Sequence, residues 1–162
     1  MVLPNKQIVL EALVQHLSDL AAQAMAAAKT TSVGATHAEA KPEHAKDTRA
    51  LEQSYLARGQ AMRAEDLATQ AKALRFMPLR DYGENDPAGV GALVALTSDE
   101  DTRYFFLAPH GGGTELDIAG NKVVVLVPQS PLGKLVLGRT LHDVIELRVR
   151  GVTREYVISA IA

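Results

Sequence analysis

No cysteine occurs among the 162 residues, which excludes disulfides, thiolate metal sites and a cysteine nucleophile and suits a reducing compartment. Tryptophan is missing as well, and neither charge sign is in surplus. The 17 Lys and Arg face 19 Asp and Glu, a formal net charge of -2, so DNA or an anionic membrane has no global electrostatic attraction to this chain. A local patch is still open. The longest apolar runs, such as Val123 to Val127, are far too short to span a bilayer, and the N-terminus has no basic start leading into an unbroken apolar stretch. A cytoplasmic protein without a membrane partner is expected. What remains is ample apolar content, enough for one large core or two small ones.

The composition changes along the chain. Residues 1 to 77 hold 18 alanines but only 2 glycines and 5 Val or Ile, whereas residues 78 to 162 hold 10 glycines and 15 Val or Ile. The first part is therefore read as helical and the second as β-rich. Between them, Pro78-Leu-Arg-Asp-Tyr-Gly-Glu-Asn-Asp-Pro87 stops a helix and favours turns. This predicts a finger over 1–77, a linker over 78–87 and a sheet domain over 88–162.

In the first part, Leu10, Leu13, Leu17, Leu20, Ala24 and Ala27 recur at steps of three and four, the seam of a coiled coil. Pro4 is expected to open that helix. A second stretch, roughly Ala45 to Phe76, repeats Ala57, Ala61, Ala64, Ala68 and Ala71, with Leu56, Leu67 and Leu74 widening the stripe. Helices of about 28 to 32 residues, roughly 40 to 48 Å, suit an antiparallel pair. Thr30 to Pro42, rich in β-branched and turn-forming residues, is expected to reverse the chain. Its neighbourhood holds Glu39, Glu43 and Asp47 at intervals of four, with His37 and His44 beside them. Two histidines and some carboxylates on a turn are no stable metal site, and no metal ligand is assigned. Asp47 also reads as a cap for the second helix.

In the second part, Val90 to Leu96, Tyr104 to Ala108, Val123 to Val127, Asp143 to Val149 and Val152 to Ile161 read as strands. Gly111-Gly-Gly113 and Ala119-Gly-Asn121 read as turns, the first by default a hairpin. Ser130-Pro-Leu-Gly-Lys-Leu-Val-Leu-Gly138 predicts one short helix: Ser130 as N-cap, Pro131 at its first position, Leu132, Leu135 and Val136 as the apolar face, and Gly138 ending it in the left-handed region. The overall expectation is an α+β chain.

The string Val127-Pro-Gln-Ser-Pro-Leu-Gly-Lys-Leu-Val-Leu-Gly-Arg-Thr-Leu-His-Asp-Val-Ile-Glu-Leu147, followed by Thr153 to Ile161, resembles the C-terminal domain of Gre-type bacterial transcript cleavage factors. The resemblance covers nearly all of residues 88 to 162. It implies an N-terminal antiparallel coiled-coil hairpin followed by a small sheet domain like that of FK506-binding proteins. It departs from the family at His142, where glycine is usual. The resemblance implies bacterial RNA polymerase as partner, with Ser130, Pro131, Leu132, Gly133 and Lys134 in the docking surface and the finger entering the secondary channel. In the family, an Asp and, three positions on, a Glu at the fingertip hold the polymerase's second Mg²⁺ and the water that cleaves the 3′ end of backtracked nascent RNA. Here Glu43 falls on the family's Glu, Ala40 stands at the Asp position, and the neighbouring acid is Glu39.

The implied function is therefore an RNA polymerase secondary-channel factor that stimulates transcript cleavage in trans, not an enzyme by itself. It needs no cofactor beyond the Mg²⁺ of the polymerase. The alternative is a channel-binding transcription regulator that does not cleave. Prolyl isomerase activity, which the implied fold also brings to mind, needs an aromatic-lined pocket and ranks below both.

Overall fold

The computed structural model describes residues 2–39, 48–99 and 101–162. Two long helices, α1 (Lys6–Glu39) and α2 (Thr48–Arg75), precede six strands and one short helix, so the chain is α+β. It divides into two compact units: Gln15–Lys72, and Met1–Val14 together with Ala73–Ala162.

In the helical unit the two helices pack antiparallel, and their buried side is set by residue size. On α1 the buried positions are Leu17, Ala21, Ala28 and Ala35, and on α2 they are Ala50, Ala57, Ala64, Leu67 and Ala71. These are heptad positions of the expected kind, with alanines allowing close approach. The α1 seam is rotated from the expected one, because Leu20 and Ala27 are only half-buried while Ala21 and Ala28 are buried. On α2, Ala68 and Leu56 point to solvent while Leu67 is buried; Leu67 and Ala68 each lie one turn from both Ala64 and Ala71, so the three-four spacing alone does not choose between them.

Two helix-end expectations are corrected. Pro4 precedes α1 rather than opening it, and Asn5 is the cap, its Oδ1 accepting from the Ile8 amide at 3.2 Å. Of the Thr30 to Pro42 stretch expected to reverse the chain, 30–39 are instead helical, since α1 runs on to Glu39; the remaining residues lie outside the described ones. Its β-branched residues stay helical because the Thr30 and Thr31 hydroxyls donate to the Ala26 and Ala27 carbonyls at 3.1 and 2.9 Å, removing their competition with the helix backbone.

In the other unit the strands are β1 (Leu93–Thr97), β2 (Thr102–Leu107), β3 (Glu115–Ile118), β4 (Asn121–Leu126), β5 (Val144–Val149) and β6 (Val152–Ile161), with α3 (Pro131–Val136) between β4 and β5. They form one sheet in the order β3-β4-β2-β1-β6-β5. All neighbours are antiparallel except β2 and β4. Strand β3 was not expected, although its Leu116 and Ile118 are buried and its Glu115 and Asp117 exposed; four residues are too few for that alternation to stand out. It pairs with β4 through the Ala119-Gly120 turn.

Gly111-Gly-Gly113 is therefore not a hairpin. It lies in the connection from β2 to β3, two strands that are not neighbours. Gly111 has φ +80°, and a Cβ on it would stand 2.8 Å from Leu13 Cδ1, so this loop lies against the first turns of α1, which belong to the same unit.

One face of the sheet buries Val94, Leu96, Phe105, Leu107, Ile145, Tyr156 and Ile158 around Val136 of α3. Leu93, Ala95, Phe106, Val123 and Val125 are buried on the other face, and Val9, Leu13 and Leu74 are fully buried within the unit. The segment between α2 and β1 is anchored through Tyr82, whose ring lies 4.2 Å from the Arg80 guanidinium and 5.2 Å from Lys6 Nζ. The Tyr82 hydroxyl donates to the Val90 carbonyl at 3.2 Å.

Asp101 ties the β1–β2 turn to β6. Its carboxylate accepts from Arg103 Nε and Ser98 Oγ, both at 2.9 Å, and from the Tyr156 hydroxyl at 3.3 Å. The Arg103 hydrogen bond first, then that of Ser98, holds its carboxyl below the ordinary value. A group depressed in the folded state adds stability above the unfolded carboxylate pKa of about 4 and loses it as pH falls through its folded value. Thermal melts of the protein and of Asp101→Asn should therefore differ at neutral pH and converge in acid; a constant gap would refute this role.

Candidate functional site

The site begins with a turn built by hydrogen bonds. Ser130 is the N-cap of α3, with extended backbone, and Pro131 occupies the first helical position, where no amide proton is required. Ser130 Oγ accepts from the Gly133 amide at 3.0 Å and donates to the Val127 carbonyl at 2.8 Å. The Val127 carbonyl also accepts from the Ser130 amide at 3.0 Å. Gly133 lies so close to this carbonyl that a Cβ on it would fall 2.0 Å from Val127 O. Only glycine closes this turn.

The far end is held with equal economy. The Leu137 amide donates to the Gly133 carbonyl at 2.9 Å, and the Gly138 amide to the Ala88 carbonyl at 2.8 Å. Gly138 has φ +80°, as the helix stop requires. The Ala88 amide in turn donates to the Arg139 carbonyl at 2.7 Å.

This geometry sorts the five residues of the predicted docking surface. Ser130 and Gly133 are occupied in building the turn, and Gly133 is buried. Leu132 is half-buried against the sheet core, while Pro131 and Lys134 face solvent. The expected apolar face of Leu132, Leu135 and Val136 is corrected in one place. Val136 is fully buried, but Leu135 is 36% exposed, because a helix of six residues shows the sheet only one side. Leu137, 42% exposed, joins it and was not anticipated; its place just past the helix gave no periodic signal. The outer surface of α3 therefore presents Pro131, Lys134, Leu135 and Leu137.

Beyond α3, the Asp143 carboxylate accepts from the Thr140 amide at 2.8 Å and from its hydroxyl at 3.3 Å. His142 in that turn has φ +70°, which accounts for glycine being the usual residue there in the resembled family; histidine tolerates the left-handed region better than most side chains.

Glu39 is the last residue of α1. Glu43, with His44 and Asp47, lies outside the described residues. Among the described residues no group of three His, Asp or Glu is placed to hold a metal ion, and no helix is long and apolar enough to cross a membrane.

Comparison with known proteins gave one kind of match. No family model matches the chain, and no curated protein does. Among solved structures, the chain is similar to GreA factor homolog 1 (Gfh1) of Thermus thermophilus, at 19% identity over 90% of this chain and 94% of that one, with a TM-score of 0.40. A structure of the transcription factor Gfh1 gives 18% identity over 93% of both chains, TM-score 0.42. Gfh1 of Thermus aquaticus gives 18% over 86% and 91%, TM-score 0.41.

Proposed function

We propose that the chain is an RNA polymerase secondary-channel factor whose sheet unit docks on the polymerase and whose helical hairpin carries the acidic residues that assist RNA cleavage. The observation that carries this reading is the Ser130–Gly138 turn. The motif on which the Gre resemblance rests is used here to build a rigid short helix, and the outward residues Pro131, Lys134, Leu135 and Leu137 have no internal task that requires their exposure. Apolar side chains beside one cation on a rigid element suit a protein partner.

The chemistry proposed for the helical hairpin is two-metal phosphodiester hydrolysis at the polymerase's own centre. Glu43 would complete the oxygen shell of the second Mg²⁺, and Glu39 would orient the attacking water at the 3′ end of the RNA. The chain would add carboxylates in trans and no cofactor of its own. A second reading, occupation of the channel without cleavage, is favoured by Ala40, whose methyl group cannot ligate a metal where the family places an Asp.

The full chain should be retained by purified bacterial core polymerase, and Leu135→Asp with Leu137→Asp should abolish retention while leaving the melting temperature within a few degrees. Retention unaffected by that pair would move the docking surface elsewhere. Cleavage of stalled elongation complexes then separates the two readings.

A further inference from the structure

The hairpin of β5 and β6 extends beyond its neighbour. Thr97, the last residue of β1, pairs with Val157, so Val152 to Tyr156 pair with β5 alone. Five residues at about 3.3 Å each give a two-stranded ribbon reaching about 16 Å past β1. Its end reads Leu147-Arg-Val-Arg-Gly-Val-Thr-Arg154, with three arginines and no acid in a chain whose net charge is negative.

The arginines are distributed around the ribbon. Arg148 pairs with Thr153 on one face, while Arg154 pairs with Leu147 on the opposite face, since successive strand residues alternate. Arg150 is at the tip, with φ +52°, followed by Gly151 at φ +82°. Two positive φ values make this the hairpin turn that favours Asn-Gly, and a long cationic side chain occupies the asparagine place at a conformational cost. Arg148 and Arg150 are exposed and have no ion pair or hydrogen bond among the described residues. Arg154 makes an interaction within the fold. Glu146 and Glu155 face each other two rungs behind Arg148 and Thr153 on the same face as Arg148, at the base of the ribbon and away from its tip.

A two-stranded ribbon fits the major groove of a duplex, about 12 Å wide. Arg148 on one face and Arg150 at the tip then reach phosphates, where the guanidinium fork matches phosphate oxygens. We infer that the β5–β6 ribbon is a nucleic-acid contact that holds the phosphate backbone of a double-stranded segment through Arg148 and Arg150. It goes beyond the polymerase reading and does not depend on it, because the duplex alone is the ligand.

The test is equilibrium binding of the full chain to a fluorescent DNA duplex of about 20 base pairs and to a single-stranded RNA of the same length, across a salt series. The duplex should bind more tightly. Arg148→Gln combined with Arg150→Asn should weaken it on the order of 10-fold at about 20 mM salt and reduce the salt slope by about 0.9 for each phosphate left without its arginine. Asn suits the turn, so the doubly substituted chain should melt no lower than the parent. Arg148→Lys with Arg150→Lys, which keeps both charges, should retain most of the binding. The inference is overturned if the Gln/Asn pair binds the duplex as tightly and with the same slope, if the Lys pair weakens binding as much as the Gln/Asn pair, or if single-stranded RNA binds better than the duplex.

Discussion

Gly133→Ala should destabilise the protein by about 3 kcal/mol or more, within the upper range of overpacking substitutions. Two effects of opposite sign compete at this position. Alanine is a better helix former than glycine by about 1 kcal/mol, which on an open helix would raise stability. Here the added methyl would stand 2.0 Å from the Val127 carbonyl oxygen and 2.8 Å from Ser130 Oγ. Neither the backbone oxygen nor the capping hydroxyl can give way without breaking the Ser130 hydrogen bonds to Val127 and Gly133, so steric overlap decides the sign. Ser130→Ala removes the cap without adding an overlap and should cost only about 1 kcal/mol. Urea unfolding of both variants checks the order. If Gly133→Ala falls within about 0.5 kcal/mol of the parent, the turn is softer than its hydrogen bonds indicate and its claim to rigidity fails. Because the same turn positions Lys134, Leu135 and Leu137, Gly133→Ala should also lose polymerase retention, whereas Lys134→Ala should weaken retention without changing the unfolding midpoint.

Glu43→Gln is expected to reduce cleavage of backtracked transcripts on the order of 10²-fold, the loss typical when one preorganised electrostatic group is removed from a transition state. The amide keeps the size and hydrogen-bonding reach of the carboxylate and removes the charge that a Mg²⁺ requires. Retention on polymerase should be unchanged, since docking is proposed for the sheet unit. Glu39→Gln should have a smaller effect, with its carboxylate one residue from the family's Asp position. Asp47→Asn should leave cleavage intact, because asparagine caps a helix as well as aspartate does. Single-turnover cleavage of a stalled complex, run with each variant at saturating concentration, measures this ranking. A parent protein that shows no cleavage at any Mg²⁺ concentration, yet displaces a cleavage factor from polymerase, would establish the channel-occupying reading instead.

The parts of this molecule that were legible in the sequence are those whose cause is local. The alanine-rich heptads identify two long helices, because a three-four repeat has one structural meaning over so many turns. The Ser130 cap, Pro131 at the first position and the Gly138 stop are chemical requirements of three neighbouring backbone groups, and each was found where expected. Five of the six strands announce themselves through valine and isoleucine. The Ser130 to Gly138 motif is equally local, although its residues do not divide by sequence into those that build the turn and those left on its surface.

Other features depended on what the chain folds against. Which alanines form the α1 seam is decided by the opposing helix, so Ala21 and Ala28 displaced Leu20 and Ala27 from the buried positions. The helix continued past Thr30 because hydroxyl groups one turn away from their carbonyl partners offset an unfavourable propensity. Gly111-Gly-Gly113 reads as a hairpin until the strand order places β4 beside β2; a parallel pair then demands a longer connection, and the glycines serve close approach to Leu13 instead. The overhang of β5 and β6 likewise arises only from register, since no residue within Arg148 to Arg154 reports that β1 stops at Thr97. Hydrophobic period, capping and turn chemistry are written in neighbouring residues, whereas strand order, seam rotation and exposure follow from contacts between residues far apart in the chain, and only the tertiary structure decides those.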